Sequence, residues 1–262
     1  MMMVVIGVVY NKDTLSPFLL YSKPIQYNEK ITLYPVTMEY VMEFQMYSRA
    51  ITFRKDSRFG EKKIIKMTYL DFLFYAMTNP ELSLLVEDTP DLGKFFFYTI
   101  NLLGLVCKDQ PIDINDEGHI RINEYEINPD EFDDLRRIII LQNGINFDID
   151  EFLNYETEKR LQKAQQDMNK GNDVVTIEDY IDSLCLVLHI SEDVIKNMSI
   201  RKFWRLIRRH ELHENYTIMK TGECSGMVKF KEPIKHWMRS IEEEDKYAHL
   251  KANEDELKSK IG

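Results

Sequence analysis

Residues 199–238, SIRKFWRLIRRHELHENYTIMKTGECSGMVKFKEPIKHWM, hold both tryptophans and most of the clustered positive charge of the chain. Ser199 has the chemistry of a helix N-cap, and Ile200, Phe203, Trp204 and Ile207 follow at the one-face spacing of an α-helix. Arg201, Lys202, Arg205, Arg208 and Arg209 fall largely on the other side, so one face packs and the other is basic. Gly222 and Gly226 then break the pattern, residues 227–230 alternate like a short strand, and Pro233 can open a further helical turn carrying Ile234, Trp237 and Met238. By direct count, residues 199–239 carry ten Lys/Arg against four Asp/Glu, a balance of +6 in a chain whose formal net charge is -10. Two readings stay open. Either this is a core helix with solvated arginines, or its basic face meets an acidic surface, in the same chain or on another protein.

The acidic counterpart is residues 109–158, with fifteen Asp/Glu against three Lys/Arg. It is either ordinary solvated surface or a face that complements the basic stretch within the molecule or between copies. Ahead of it, apolar pieces at 4–10, 18–21 and 31–34 have strand propensity and predict a small N-terminal β element. Thr37 is placed to cap a helix with Met38, Val41, Met42 and Tyr47 inward, and the basic, Gly-bearing residues 54–66 read as an exposed loop. Apolar density then predicts a buried helix over 69–77, a short element over 81–86 and a Phe-rich helix over 91–106, with Phe95, Phe96, Phe97 and Tyr98 in the core. Residues 130–141 read as a helix closed by Asn143-Gly144. Residues 152–169 are charged and sparse in apolar side chains, as expected of a surface helix. Thr176 to Asp179 resembles a capping box for an amphipathic helix with Ile177, Tyr180, Ile181, Leu184 and Leu188, and Ser191 starts another.

These elements predict a mainly α-helical (α+β) protein with a small N-terminal β element and a β-hairpin near 112–127. Gly171-Asn172-Asp173 is the candidate boundary between an N-terminal domain (1–170) and a C-terminal helical domain (171–241), followed by a charged tail (242–262). Hydrophobic residues at 44% and charged residues at 30% are those of a folded globular protein, and the length permits one large domain or two. The three cysteines, Cys107, Cys185 and Cys224, show no CxxC pairing and read as free thiols of a reducing compartment. The apolar opening run is too short for a bilayer span and has no basic n-region, so an intracellular protein without membrane segments is expected.

The closest approach to a chemical motif is residues 113–124, DINDEGHIRINE. Asp113, Asn115, Glu117 and Glu124 stand where a calcium loop places ligands, with Gly118 near the required turn. Pro111 and the strand-like alternation of Ile120, Ile122 and Ile127 favour instead a hairpin turned at 115–118. His210 and His213 are three apart, whereas the zinc-protease helix needs four. No phosphate-cradling glycine loop or nucleophile elbow is present in the sequence, so no catalytic residues, cofactor or metal are expected. The net acidity disfavours nucleic acid as a partner. The rival reading is a regulatory protein that binds nucleic acid through 199–209 with Phe203 and Trp204 as stacking platforms, but those rings lie on the face opposite the charge.

Four blocks carry a family resemblance: 24–35 with its closing ITLYP, LRRIIILQNGI at 135–145, MSIRKFW at 198–204, and SGMVKFKEPIKHWM at 225–238. Their pattern and order resemble tail-module proteins of tailed bacteriophages, most of all the baseplate-hub and tail-assembly chaperone proteins of contractile-tailed phages. The resemblance implies a non-enzymatic protein of the infected host's cytoplasm, or of the virion tail, that helps tape-measure, hub or baseplate subunits assemble. Homo-oligomers are compatible with it. The residues expected to make contact are Arg201, Arg205, Arg208, Arg209 and Lys229, with Trp204 and Trp237 holding the local fold.

Overall fold

The structure, a computed structural model, describes residues 10–86, 89–115, 119–151, 160, 175–226, 228–230 and 232–241. Among the described residues helices dominate, joined by one two-stranded and one three-stranded antiparallel sheet, which is the mainly α architecture expected. The chain divides into two compact units, Met1–Leu153 with Ile177–Trp204 and Asn154–Thr176 with Arg205–Gly262. The expected boundary at Gly171 to Asp173, the strand expected at 4–9 and the charged tail lie outside the described residues.

In the first unit, α1 (Lys12–Leu19) takes the place of the strand expected at 18–21. The reason is local. Asn11 Oδ1 accepts from the Asp13 and Thr14 amides at 3.0 and 2.9 Å while Thr14 Oγ1 accepts from the Asn11 amide, and this capping box outweighs the strand preference of Phe18 and Tyr21. The β element that does form pairs β1 (Ile25–Gln26) with β2 (Thr32–Leu33) in the register Ile25↔Leu33. Asn28 Oδ1 closes its turn by accepting from the Lys30 and Ile31 amides, both at 2.8 Å.

A 3-10 turn, Met38–Tyr40, precedes α2 (Val41–Ser48). Its tighter winding puts Met38, Val41 and Phe44 inside at a spacing of three, so Met42, expected inside, is 63% exposed and Tyr47 only half-buried. The expected loop at 54–66 is two short helices, α3 (Lys55–Arg58) and α4 (Lys62–Lys66), with Phe59 and Ile64 in the core. Lys55 is buried too. Its Nζ donates to Asp56 Oδ1 at 2.7 Å and to the Ile64 and Ile65 carbonyls at 3.2 and 2.7 Å, satisfying acceptors in the last turn of α4.

Helices α5 (Tyr69–Thr78) and α6 (Phe95–Cys107) form the aromatic heart, with the 3-10 segment Pro80–Leu85 between them. The Phe53 ring stacks on Phe72 at 5.9 Å and meets Phe95 edge-on at 5.8 Å. Successive helical residues are turned by about 100°, so four consecutive aromatics cannot all face inward. Phe95 and Phe96 are buried, Phe97 is 54% exposed and Tyr98 half-buried, correcting the expectation that all four fill the core.

The three-stranded sheet follows: β3 (Ile112–Ile114), β4 (Ile120–Ile122) and β5 (Tyr125–Glu126), in the order β3-β4-β5. Helix α7 (Pro129–Asn143) starts with an Asn128/Glu131 capping box and Pro129 in its first turn. Phe132, Leu135, Ile138 and Ile139 are buried as their spacing requires, and Gly144 at φ +72° closes the helix. Two amides at its end bind the N-terminal strands: Asn143 Oδ1 accepts from the Val36 amide at 2.8 Å, and Gln142 Nε2 donates to the Leu33 carbonyl at 3.1 Å. Helices α8 (Ile177–Leu188) and α9 (Glu192–Lys196) match the predicted pair, with Leu184 and Ile195 buried. The last helix of the described residues, α10 (Ile200–Cys224), contains the unit boundary after Trp204.

Candidate interaction surface

The start of α10 is stitched into the first unit by backbone bonds. The Ile200 amide donates to the Val36 carbonyl at 2.9 Å and the Met38 amide to the Met198 carbonyl at 2.8 Å, forming the Thr37↔Ser199 bridge. Ser199 Oγ accepts from the Lys202 amide at 3.3 Å, the N-cap its sequence position predicts, and pairs with Ser22 Oγ at 2.6 Å. Phe203 is fully buried. Trp204 meets the Tyr180 and Phe203 rings edge-on, both at 5.2 Å. Phe203 is therefore not free as a platform for bases, while Trp204 is half-buried against two rings.

This packing sorts the five cations predicted to make contact. Arg201 spends a guanidinium N–H on the Leu19 carbonyl at 3.1 Å, and its side chain lies against Gly144. Arg205 is exposed. Arg208 is paired with Glu211 at 3.0 Å one turn on, a partly exposed pair that fixes geometry more than it stabilises.

In the second unit, α10 runs straight through Gly222 instead of breaking there, since one glycine costs a helix only about 1 kcal/mol. Thr217 and Thr221 hydroxyls donate back to the His213 and Thr217 carbonyls, Lys220 pairs with Glu223 at 2.7 Å, and the turn comes at Gly226, φ +72°. Beyond it, residues 228–230 form no strand, and 232–241 form turns where a helical turn was expected after Pro233. Packing holds that segment instead. Arg209 donates to the carbonyls of Trp237 and Arg239, the latter at 2.9 Å. The Trp237 ring meets His213 edge-on at 4.9 Å and His236 meets Tyr216 at 5.0 Å. Residues 232–241 are thus a strap held on α10, with Arg209 and Trp237 as its fastenings and Lys229 exposed beside it.

Three of the four calcium-loop residues are described, and they are spread along the sheet. Asp113 lies in β3 paired with Arg121, and Glu124 with Asn123 forms a two-residue turn, both at positive φ, between β4 and β5; Glu117 lies outside the described residues. Asn115 Oδ1 accepts from the His119 amide at 2.8 Å across the hairpin end. Strands therefore flank the segment where a calcium loop has helices. His210 pairs with Glu214 at 3.4 Å while His213 faces Trp237, and no group of three metal-ligating side chains occurs among the described residues.

A cleft of about 440 Å³ in the first unit, whose walls include Arg54, Lys55 and Arg136, has no counterpart in any sequence motif. Each cation is committed. Arg54 binds Glu151 Oε2 at 2.8 Å and lies over the Phe147 ring, and Arg136 binds Asp133 Oδ1 at 2.6 Å and the Ile51 carbonyl at 3.0 Å while stacking on Tyr69. Burial pushes the Tyr69 hydroxyl up to about 12, so it stays a neutral donor to the Ala50 carbonyl. The cleft's cations thus pair within α3 and α7 and with Glu151, and Arg136 ties α7 to α5 through the Tyr69 ring.

Residues 164–242 match the model of the family described as YomV second domain. That family is phage-derived, its namesake coming from a Bacillus prophage, and the match links α8 to α10 and the strap to phage proteins. The matched span is less than a third of the 262-residue chain. No curated protein and no solved structure matches the chain. Among the described residues, no helix is long and apolar enough to cross a membrane.

Proposed function

We propose that this protein is a non-enzymatic assembly factor or hub component of a phage tail or baseplate, acting in the host cytoplasm through protein–protein contacts. The observation that carries the reading is the coincidence of two independent features on one stretch. The span similar to the YomV second domain is also the span in which Arg205, on α10, and Lys229, beyond the end of that helix, are exposed. The four sequence blocks that resemble tail-module proteins support the same reading, and two of them, 198–204 and 225–238, fall inside that span.

The partner surface on this reading is acidic, and belongs to a tape-measure, hub or baseplate subunit. Rim cations of this kind accelerate and orient association more than they add affinity. The test is co-purification of tagged protein from phage-infected cells. Reversing Arg205 and Arg208 together to Glu should abolish capture of tail proteins while leaving the helical circular dichroism unchanged; full capture by that double variant would remove the assignment.

A further inference from the structure

The outer edge of the three-stranded sheet carries a pattern that another part of the same chain complements. Among the described residues, strand β3 pairs with β4 alone, in the register Ile112↔Ile122, Asp113↔Arg121 and Ile114↔Ile120. The Asn115 amide donates to the His119 carbonyl and the Asn123 amide to the Pro111 carbonyl, both at 3.0 Å. These bonds put the odd-numbered residues of β3 onto β4. The amides and carbonyls of Ile112 and Ile114 therefore point away from the sheet, where no described hydrogen bond meets them.

The two faces of this edge differ. On one, Ile112 and Ile114 continue the buried pair Ile120 and Ile122, and Ile114 at the margin is 42% exposed. On the other, Asp113, Arg121 and Glu126 lie side by side across three strands, a ladder of alternating charge that ends in an exposed carboxylate. A strand added here needs an apolar residue, a cation and an apolar residue in succession. Val228, Lys229 and Phe230 have that order.

These three residues belong to no sheet among the described residues, although their alternation is that of a strand. Val228 is 45% and Phe230 38% exposed, and Lys229 is exposed between them. We propose that residues 228–230 of one copy add to the β3 edge of a second copy, with Val228 and Phe230 extending the Ile112/Ile114 face and Lys229 placed beside Asp113. Main-chain bonds to Ile112 and Ile114 supply the attraction, and the side-chain alternation sets the register. Donor segment and acceptor edge are different surfaces, so the contact is heterologous and can extend to rings or chains of copies. It joins the acidic and the basic stretch of the sequence across copies, and it does not depend on the phage reading.

The experiment is sedimentation velocity of the full chain over a concentration series, for the wild type, Asp113→Lys, Lys229→Glu and an equimolar mixture of the two variants. The wild type should show concentration-dependent association, and each variant alone, with like charges at 113 and 229, should associate about tenfold more weakly. The mixture should recover wild-type association, because every contact between unlike copies again pairs opposite charges; that recovery also shows both variants to be folded. A wild type that stays monomeric throughout, or association untouched by both reversals, or variants that stay apart on mixing, overturns the proposal. Reversal of Arg205 and Arg208 should leave association unchanged, which separates this test from that of the proposed function.

Discussion

Gly144 and Arg201 lie so close that a Cβ built on the glycine would stand 3.0 Å from Arg201 Cγ and 3.3 Å from its Cβ. The same glycine closes α7 at φ +72°, a conformation that an L side chain adopts only with strain. One residue thus ends a helix and makes room for the helix that begins 56 positions later, at Ile200. Gly144→Ala should lower stability by about 1–3 kcal/mol. Gly60→Ala, where nothing lies within 4 Å, is the control and should change it little. Chemical denaturation of the two variants checks this, and equal midpoints would show that the close approach relaxes freely.

Arg209 grips the strap through two carbonyls that its Nη1 meets together, and glutamine, uncharged and two bonds shorter, falls short of them. Arg209→Gln should raise hydrogen exchange at the amides of Met238 and Arg239, which are bonded to His236. Exchange in α7 should not change. Unaltered protection at 238 and 239 would mean that the Trp237–His213 and His236–Tyr216 ring contacts hold the strap by themselves.

The thiols should react in the order of their exposure. Cys224 is exposed, whereas Cys107 is fully buried in α6 and burial pushes its thiol up to about 12. Alkylation of the native protein at pH 8 should label Cys224 within minutes and Cys107 only after unfolding, as read by mass spectrometry. The sign of the pH effect follows from the raised value. In the unfolded chain Cys107 ionises near its ordinary 9.0 while in the folded chain it stays neutral, so its contribution to stability is complete below pH 9 and is lost between pH 9 and about 12. Denaturation midpoints should fall over that interval, and less so for Cys107→Ser. A Cys107 labelled as fast as Cys224 would contradict the burial.

Features read directly from short stretches agree with the structure because their causes are local. The Gly144 stop of α7 is decided by hydrogen bonds within four residues. The same holds for Ser199 as the cap of α10 and for the antiparallel pairing of β3 with β4. Misreadings arose where phase or packing intervened. A 3-10 turn rotated α2 so that Met42 faces out, and the run of aromatics at 95–98 could not all reach one side of a helix.

The candidate surface was legible as a charge pattern and no further. Composition and periodicity alone determined that residues 199–209 form an amphipathic helix with one basic face, since charge count and helical spacing need no partner. Which of those arginines remain available was decided by the tertiary structure. Arg201 finds the Leu19 carbonyl 182 positions away and Arg209 finds carbonyls 28 and 30 positions away, whereas Arg205 faces solvent. A guanidinium carries five donors and bonds whatever carbonyl the fold brings within reach, so its fate depends on contacts that sequence distance does not encode.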